Sequence, residues 1–149
     1  MHIQEIEDRD SALINILVDI WEQSTRATHT FVPEPEILRI KQYIPEALRD
    51  VPELIIAQDE LGNPLGFMGI DGTHLEMLFI DPQNRGRGIG KQLLEYGIKA
   101  HGVHDLTVNE QNPQAVGFYE HLGFVTYKRS DVDEYGDPFP ILYMRLEHE

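Results

Sequence analysis

At 149 residues the chain has the usual size of one domain, long enough to bury roughly 68 to 70% of its unfolded surface without a metal or disulfide staple. It has no cysteine, which excludes disulfides, thiolate metal sites and cysteine nucleophiles together and fits a reducing interior. Its 26 acidic against 12 basic residues, a formal charge of -14, argue against a nucleic-acid partner, which needs a clustered positive surface, and suit a solvated surface or a cationic partner.

Near Met1 the acids Glu5, Glu7 and Asp8 stand where a signal peptide would carry a basic flank, and no apolar run approaches a membrane span. A cytoplasmic protein without a membrane partner is expected. No repeat, low-complexity tract or linker interrupts the sequence, so residues 1–149 are expected to pack as a single domain.

Ile3 to Glu7 is short enough for an opening strand. Leu13, Ile16, Leu17, Ile20 and Trp21 then recur at helical spacing, with Asp8 or Asp10 available as N-cap. The segment Phe31 to Pro35 reads as loop. A second apolar stripe, Ile37, Ile40, Ile44, Ala47 and Leu48, is interrupted by Pro45, which kinks it or divides it into two short helices.

From Glu53 the pattern changes to short apolar runs. Leu54 to Gln58 and Leu65 to Ile70 flank Leu61-Gly62-Asn63-Pro64, a hairpin turn between antiparallel strands. His74 to Ile80 makes a third strand of this block. Helical periodicity returns at Ile89, Leu93, Leu94 and Ile98, and Asp105 to Val108 is another short strand. Asn112-Pro113 opens a further helix with a good N-cap and a proline at its first position, and Gly123 ends it. Val125 to Val132 and Phe139 to Leu146 are closing strands around a turn at Glu134-Tyr135-Gly136-Asp137. The order β-α-α-β-β-β-α-β-α-β-β predicts a mixed α/β sheet with helices on both faces.

The most informative stretch runs from Leu78 through Phe79 and Ile80 to Arg85-Gly86-Arg87-Gly88-Ile89-Gly90-Lys91. A strand enters a glycine-rich turn, and the turn enters an amphipathic helix. Glycines at 86, 88 and 90 let backbone N–H groups turn inward, and the helix start adds partial positive charge. The result is a cradle for a phosphate or pyrophosphate, with Arg85, Arg87 and Lys91 as local cations. A Walker loop is excluded because Gln92 follows Gly90-Lys91. A dinucleotide fingerprint is excluded because 86, 88, 90 is spaced GxGxG rather than GxGxxG.

Arg85-x-x-Gly88-x-Gly90 resembles the acyl-CoA signature of the GNAT N-acetyltransferase superfamily. A second signature of that family stands at the expected distance, Asn112-x-x-Ala115-x-x-Phe118-Tyr119-x-x-x-Gly123-Phe124. The resemblance extends to nearly the whole chain. Within the superfamily, Ala27-Thr28-His29, Val108-Asn109-Glu110-Gln111-Asn112 and Arg129-Ser130-x-Val132-Asp133 are similar to a small bacterial YjaB-like subgroup.

The resemblance implies an α/β (α+β) fold: a mixed, mostly antiparallel sheet of six to seven strands, flanked by about four helices and splayed between the fourth and fifth strands. It implies acetyl-CoA as cosubstrate, with the pantetheine arm against strand backbone at Leu78, Phe79 and Ile80. Amides of Arg85, Gly86, Arg87, Gly88, Ile89, Gly90 and Lys91 would hold the pyrophosphate. Asn112 corresponds to the family asparagine that contacts the pantetheine arm, and as a residue type it reads equally as a helix cap. Dimers are common in the family, so a monomer or a homodimer is expected.

Acetyl transfer to an amine requires a neutral nucleophile, a stabilised oxyanion and a protonated leaving thiolate. A lysine-type amine with a pKa near 10.4 is neutral in only about one molecule in 2,500 at pH 7, so some group must accept a proton. Tyr119 aligns with the family tyrosine that donates to the departing sulfur, and a phenol is protonated at pH 7. It also belongs to a helical core stripe with Ala115, Phe118 and Leu122. Three candidates remain for the base. Glu76 lies on the fourth strand, where alternation places it on one face with Leu78 and Ile80. His29 lies in the loop beside the expected acceptor cleft, and its ordinary pKa suits proton transfer near neutrality. His74 is the third.

The backbone N–H of Phe79 or Ile80 could bind the oxyanion. Asp131, Asp133 and Glu134 near the last hairpin would attract a cationic amine acceptor, or serve as a solvated turn. His29, His74, His101, His104, His121 and His148 show no HExxH spacing and no partner thiols, so no catalytic metal is expected. Two functions follow: an acetyl-CoA-dependent N-acetyltransferase acting on a primary amine of a small molecule or protein by direct attack in a ternary complex, or a non-catalytic acyl-CoA-binding sensor.

Overall fold

The computed structural model describes residues 1–147; His148 lies outside them. Seven strands and five helices follow one another as β1 (His2–Glu5), α1 (Ser11–Thr28), α2 (Glu34–Lys41), α3 (Ile44–Asp50), β2 (Glu53–Gln58), β3 (Pro64–Asp71), β4 (His74–Ile80), α4 (Ile89–His101), β5 (Asp105–Asn109), α5 (Pro113–His121), β6 (Phe124–Ser130) and β7 (Ile141–Leu146). A single 3-10 turn, Pro82–Asn84, separates β4 from the glycine-rich segment. The sheet order is β1-β2-β3-β4-β5-β7-β6, and every neighbouring pair is antiparallel except β4 with β5.

Local chemistry explains the boundaries. Asp10 caps α1, its Oδ1 accepting from the Leu13 amide at 2.9 Å, as an N-cap acid should. Pro45 divides the second apolar stripe, because proline fits the first turn of a helix but not its middle; it sits in the opening turn of α3. Pro35 likewise opens α2, so the helix takes Glu34 and Pro35 from what the sequence predicts as loop. The Arg9 guanidinium donates to the carbonyls of Leu48 at 2.9 Å and Val51 at 2.6 Å, satisfying carbonyls the end of α3 leaves unpaired.

The two closing strands are shorter than predicted. Ser130 Oγ donates to the Val132 carbonyl at 2.7 Å, and Asp133 Oδ1 accepts from the amides of Tyr135 and Asp137, both at 2.9 Å. These local bonds compete with the ladder, and Pro138 and Pro140 supply no donor for it. The expected four-residue turn is therefore a loop from Asp131 to Pro140.

Two apolar clusters cover the two faces of the sheet. On one, α1, α2 and α3 pack Leu17, Trp21, Ile37 and Leu48 against Leu54, Ile56 and Phe67. On the other, α4 and α5 pack Leu93, Leu94 and Tyr119 against Ile55, Met68, Leu106 and Met144. Strand β4 feeds both, with Leu75, Leu78 and Ile80 on the α4 side and Met77 and Phe79 on the α1 side.

That assignment reveals a β-bulge. Leu75 pairs with Ile70 and Met77 with Gly69, which leaves Glu76 as the extra residue. A bulge shifts the in-out parity of its strand, so Leu75 and Leu78, three apart, share a face. Leu78 and Ile80 share the α4 side, as alternation predicts, and Glu76 lines the same cavity as both.

Candidate active site

Beyond the bulge, β4 loses its neighbour. It pairs with β5 only at His74 with Asp105 and Leu75 with Leu106, and the two strands then part. Asp81 donates its amide to the Leu65 carbonyl at 2.9 Å. Because residues of an antiparallel strand alternate in the direction of their backbone groups, Phe79 turns its N–H and C=O toward β3, whereas Leu78 and Ile80 turn theirs toward the gap.

A cavity of about 520 Å³ occupies that gap. Its walls are β4 from Leu75 to Ile80, β5 from Thr107 to Asn109, the start of α4 and the inner side of α5. The end of α1 closes one side with Ser24, Thr28 and His29, and the β6–β7 loop closes another with Asp133, Glu134 and Tyr135. Of the sequence candidates, Glu76, His29, Tyr119, Asn112, Leu78, Phe79, Ile80, Arg85, Gly86, Ile89 and Gly90 line it. Arg87, Gly88 and Lys91 are exposed on the same turn, and His74 lies outside this cavity.

The turn leading into α4 has the geometry of an anion cradle. Gly86 and Gly88 have φ of 77° and 76°, left-handed values that glycine reaches without strain. Among the described residues, the first amide of α4 with an acceptor is that of Gln92, bonded to the Gly88 carbonyl at 3.0 Å; those of Gly86 to Lys91 have none. Six successive N–H groups at a positive helix end are what a pyrophosphate requires. Gly90 packs against Phe118 of α5: an added Cβ would sit 3.4 Å from Phe118 Cζ, in van der Waals contact. Arg87 is held by Asn84, whose Oδ1 accepts from Nη1 at 2.7 Å.

Tyr119 is 9% exposed, between the rings of Phe118 and Phe124 at centroid distances of 5.2 and 6.0 Å. Burial pushes its phenol pKa well above the ordinary value, so the group stays protonated and able to donate. Asn112 is buried and its Oδ1 caps α5, accepting from the Ala115 amide at 3.2 Å.

The three base candidates fall into different settings. His29 is half-buried, with Nδ1 2.9 Å from Thr28 Oγ1; desolvation and then the nearby Arg85 charge lower its pKa, keeping the ring neutral at pH 7. Glu76 stands on the bulge and borders both the main cavity and a second one of about 290 Å³. His74 borders only the second, with its Nε2 3.4 Å from Glu76 Oε2 and its Nδ1 2.6 Å from Asp105 Oδ1.

Asp131 is turned away from the cavity to pair with Arg129, whereas Asp133 and Glu134 remain on its rim. Glu5, Glu53 and His101 bring three donor atoms within 4.8 Å of one another at the β1–β2 edge, remote from the cavity. Glu5 there accepts from Tyr96 and lies 3.1 Å from His101 Nε2.

Asp105 and Ser24 had no functional signal in the sequence, and Thr28 entered only through the subgroup resemblance. The first becomes a neighbour of His74 only through the parallel pairing of β4 with β5, and the other two depend on where α1 ends.

Comparison with known proteins agrees with this geometry. Residues 23–147 match the acetyltransferase (GNAT) domain family. The chain is 41% identical over 126 residues to the peptidyl-lysine N-acetyltransferase YjaB of Salmonella typhimurium, covering 85% of this chain and 86% of that protein. The solution structure of apo-form YjaB from Escherichia coli superimposes with a TM-score of 0.89 at 37% identity, covering all of both chains. The PaiA N-acetyltransferase of Thermoplasma acidophilum, in complex with coenzyme A, shares the fold with a TM-score of 0.72 at 21% identity, covering 99% of this chain and 100% of that one.

Proposed function

Because the chain belongs to the GNAT family and is an acetyl-CoA-dependent N-acetyltransferase, we propose that its acceptor is the side-chain amine of lysine in a protein or peptide. The YjaB proteins of Salmonella typhimurium and Escherichia coli, each 41% identical, carry the name peptidyl-lysine N-acetyltransferase. The acidic rim of the cavity supports the same reading, since Asp133 and Glu134 suit an amine that arrives charged. In this reading residues 1–149 act as one catalytic unit in the cytoplasm, where acetyl-CoA is at hand.

The observation that carries the reading is the run of unpartnered amides from Gly86 to Lys91, beside a strand pair that opens after Leu75 and Leu106. The amides bind the diphosphate, and the exposed main chain of Leu78 and Ile80 holds the pantetheine arm, with Asn112 and Arg85 at its sides. Acetyl-CoA supplies the activated acyl group. Everything else is done by groups of the protein. Glu76 takes a proton from the incoming ammonium group, the Ile80 N–H stabilises charge on the carbonyl oxygen, and Tyr119 donates a proton to the departing sulfur. His29 is the rival base, favoured by its neutral ring.

Titration calorimetry with coenzyme A tests the cradle, and thiol release from acetyl-CoA with lysine peptides, N-terminal-amine peptides and polyamines tests the acceptor. Heat of binding and release with the lysine peptides are expected. A protein indifferent to coenzyme A would sink the cradle, and release with polyamines alone would sink the acceptor. In pH–rate profiles Glu76→Gln should remove the acidic limb and His29→Gln should retain it; the reverse result would make His29 the base.

A further inference from the structure

We propose that His74, held by Asp105, is a proton-relay residue that carries the proton accepted by Glu76 out of the active site through the second cavity. The proposal rests on Glu76 being the base. It starts from the stoichiometry of the reaction. An ammonium acceptor loses two protons on becoming an amide: the N–C bond forms, the C–S bond breaks, and the sulfur leaves with one proton. The other must reach solvent in every turnover.

Three observations point to its route. Glu76 is the bulge residue of β4 and borders both cavities, whereas His74 borders only the second, of about 290 Å³. The carboxylate of Glu76 thus stands at the boundary between the two cavities. Second, His74 is directly opposite Asp105 in the short parallel pairing, and the 2.6 Å contact from Nδ1 to Asp105 Oδ1 fixes the tautomer. Nδ1 carries the hydrogen and Nε2 keeps its lone pair. Third, the other ring nitrogen lies close to Glu76, with Nε2 3.4 Å from Oε2.

The steps balance. The Glu76 carboxylate accepts a proton from the ammonium group, and the resulting carboxyl O–H gives it to His74 Nε2; the second proton lost from nitrogen as the tetrahedral adduct collapses replaces the one Tyr119 gives to sulfur. The imidazolium, stabilised by Asp105, releases its proton to water in the second cavity, so that all three groups are restored. The other titratable groups lining that cavity are Glu134, Tyr127 and Tyr143. Arg145 is opposite Asp105 on β7, its guanidinium over the Tyr127 ring at 5.0 Å. Asp105 and Glu134 favour a transient positive charge on the ring, whereas Arg145 opposes it.

The test uses the full chain with Glu76→Gln, His74→Ala, His74→Gln and Asp105→Asn, measured as kcat and KM against pH, with and without added imidazole. His74→Ala is expected to lose about tenfold in kcat, a modest share of the roughly 10² to 10⁴ that positioned acid–base groups contribute. Both KM values should stay within about twofold, as expected when only the proton's exit is slowed. Imidazole diffusing into the second cavity should restore His74→Ala and leave Glu76→Gln at its residual rate. His74→Gln, which keeps a hydrogen bond to Asp105 but holds no transferable proton, should remain slow, and Asp105→Asn should be slowed as well.

Full kcat for His74→Gln at every pH overturns the relay, and does so even where His74→Ala does not fold. So does a loss in His74→Ala that imidazole leaves unrepaired. Unchanged kcat for Glu76→Gln overturns the base assignment itself, and the relay with it. A slowed Glu76→Gln beside normal His74 variants overturns the relay alone.

Discussion

A hydroxyl placed between two aromatic rings in a core would ordinarily be a liability, since burying it without a partner costs about 1 to 3 kcal/mol by mutational measure. Tyr119 faces the cavity while its ring packs on Phe118 and Phe124, so in the proposed mechanism one atom does the chemistry and the rest supports the fold. Tyr119→Phe should therefore keep the melting temperature within a few degrees and the KM for acetyl-CoA nearly unchanged, while kcat falls about a hundredfold, the lower end for a general acid. Parallel losses in kcat and coenzyme A affinity would assign the hydroxyl to binding. His29 makes a different prediction, about stability. Burial and Arg85 lower its pKa in the folded state, so between that value and about 6.5 the unfolded chain binds more protons than the folded one. Its contribution is fully present above pH 6.5 and is lost as pH falls. Melting curves from pH 7.5 to 5 should show His29→Gln losing less stability than the parent protein, and parallel curves would contradict the shift.

At the scale of elements, α5 is nine residues long and marginal without its cap. Asn112 has both the carbonyl that caps and the amide N–H groups that would face coenzyme A, and two substitutions separate these jobs. Asn112→Ala should cost about 1 kcal/mol, or about 2 to 4 °C in a protein of this size. Asn112→Asp keeps the acceptor and suits a helix start, so it should hold the melting temperature yet weaken coenzyme A binding in calorimetry. Equal affinity for Asn112→Asp and the parent protein would leave Asn112 as a cap alone. Elements of this kind were legible because their signals are local: proline and asparagine chemistry marked α5, and glycine spacing marked the start of α4. The bulge at Glu76 was not legible. It arises from how Leu75 and Met77 pair with Ile70 and Gly69, a property of two strands that neither carries by itself. The same reason hid the shortening of β6 and β7, where side-chain bonds in the intervening loop outcompete the ladder.

Across the whole molecule, two kinds of charge act over different distances, and this separates the two substrates. In the proposed site coenzyme A would meet Arg85, Lys91 and the six amides without partners at contact range, where screening by salt is weak. A peptide acceptor would approach a protein with net charge -14 and an acidic rim at Asp133 and Glu134, so its encounter would depend on the longer-range field. The sequence revealed the sign of this field but not where it is concentrated, because the rim exists only once the β6–β7 loop folds over the gap between β4 and β5. Raising ionic strength from about 0.01 M to about 0.1 M shortens the screening length from about 30 Å to about 10 Å. Over that range the KM of a lysine peptide with arginine flanks should rise several-fold, whereas that of the same peptide with glutamate flanks should hold or fall. The KM for acetyl-CoA should change less than that of the arginine-flanked peptide. If both peptides respond alike to salt, the acids on the rim are a solvated surface and the acceptor is selected by shape. If the acetyl-CoA KM moves most, the cofactor is drawn in by the cations of the loop at long range rather than held by backbone at contact.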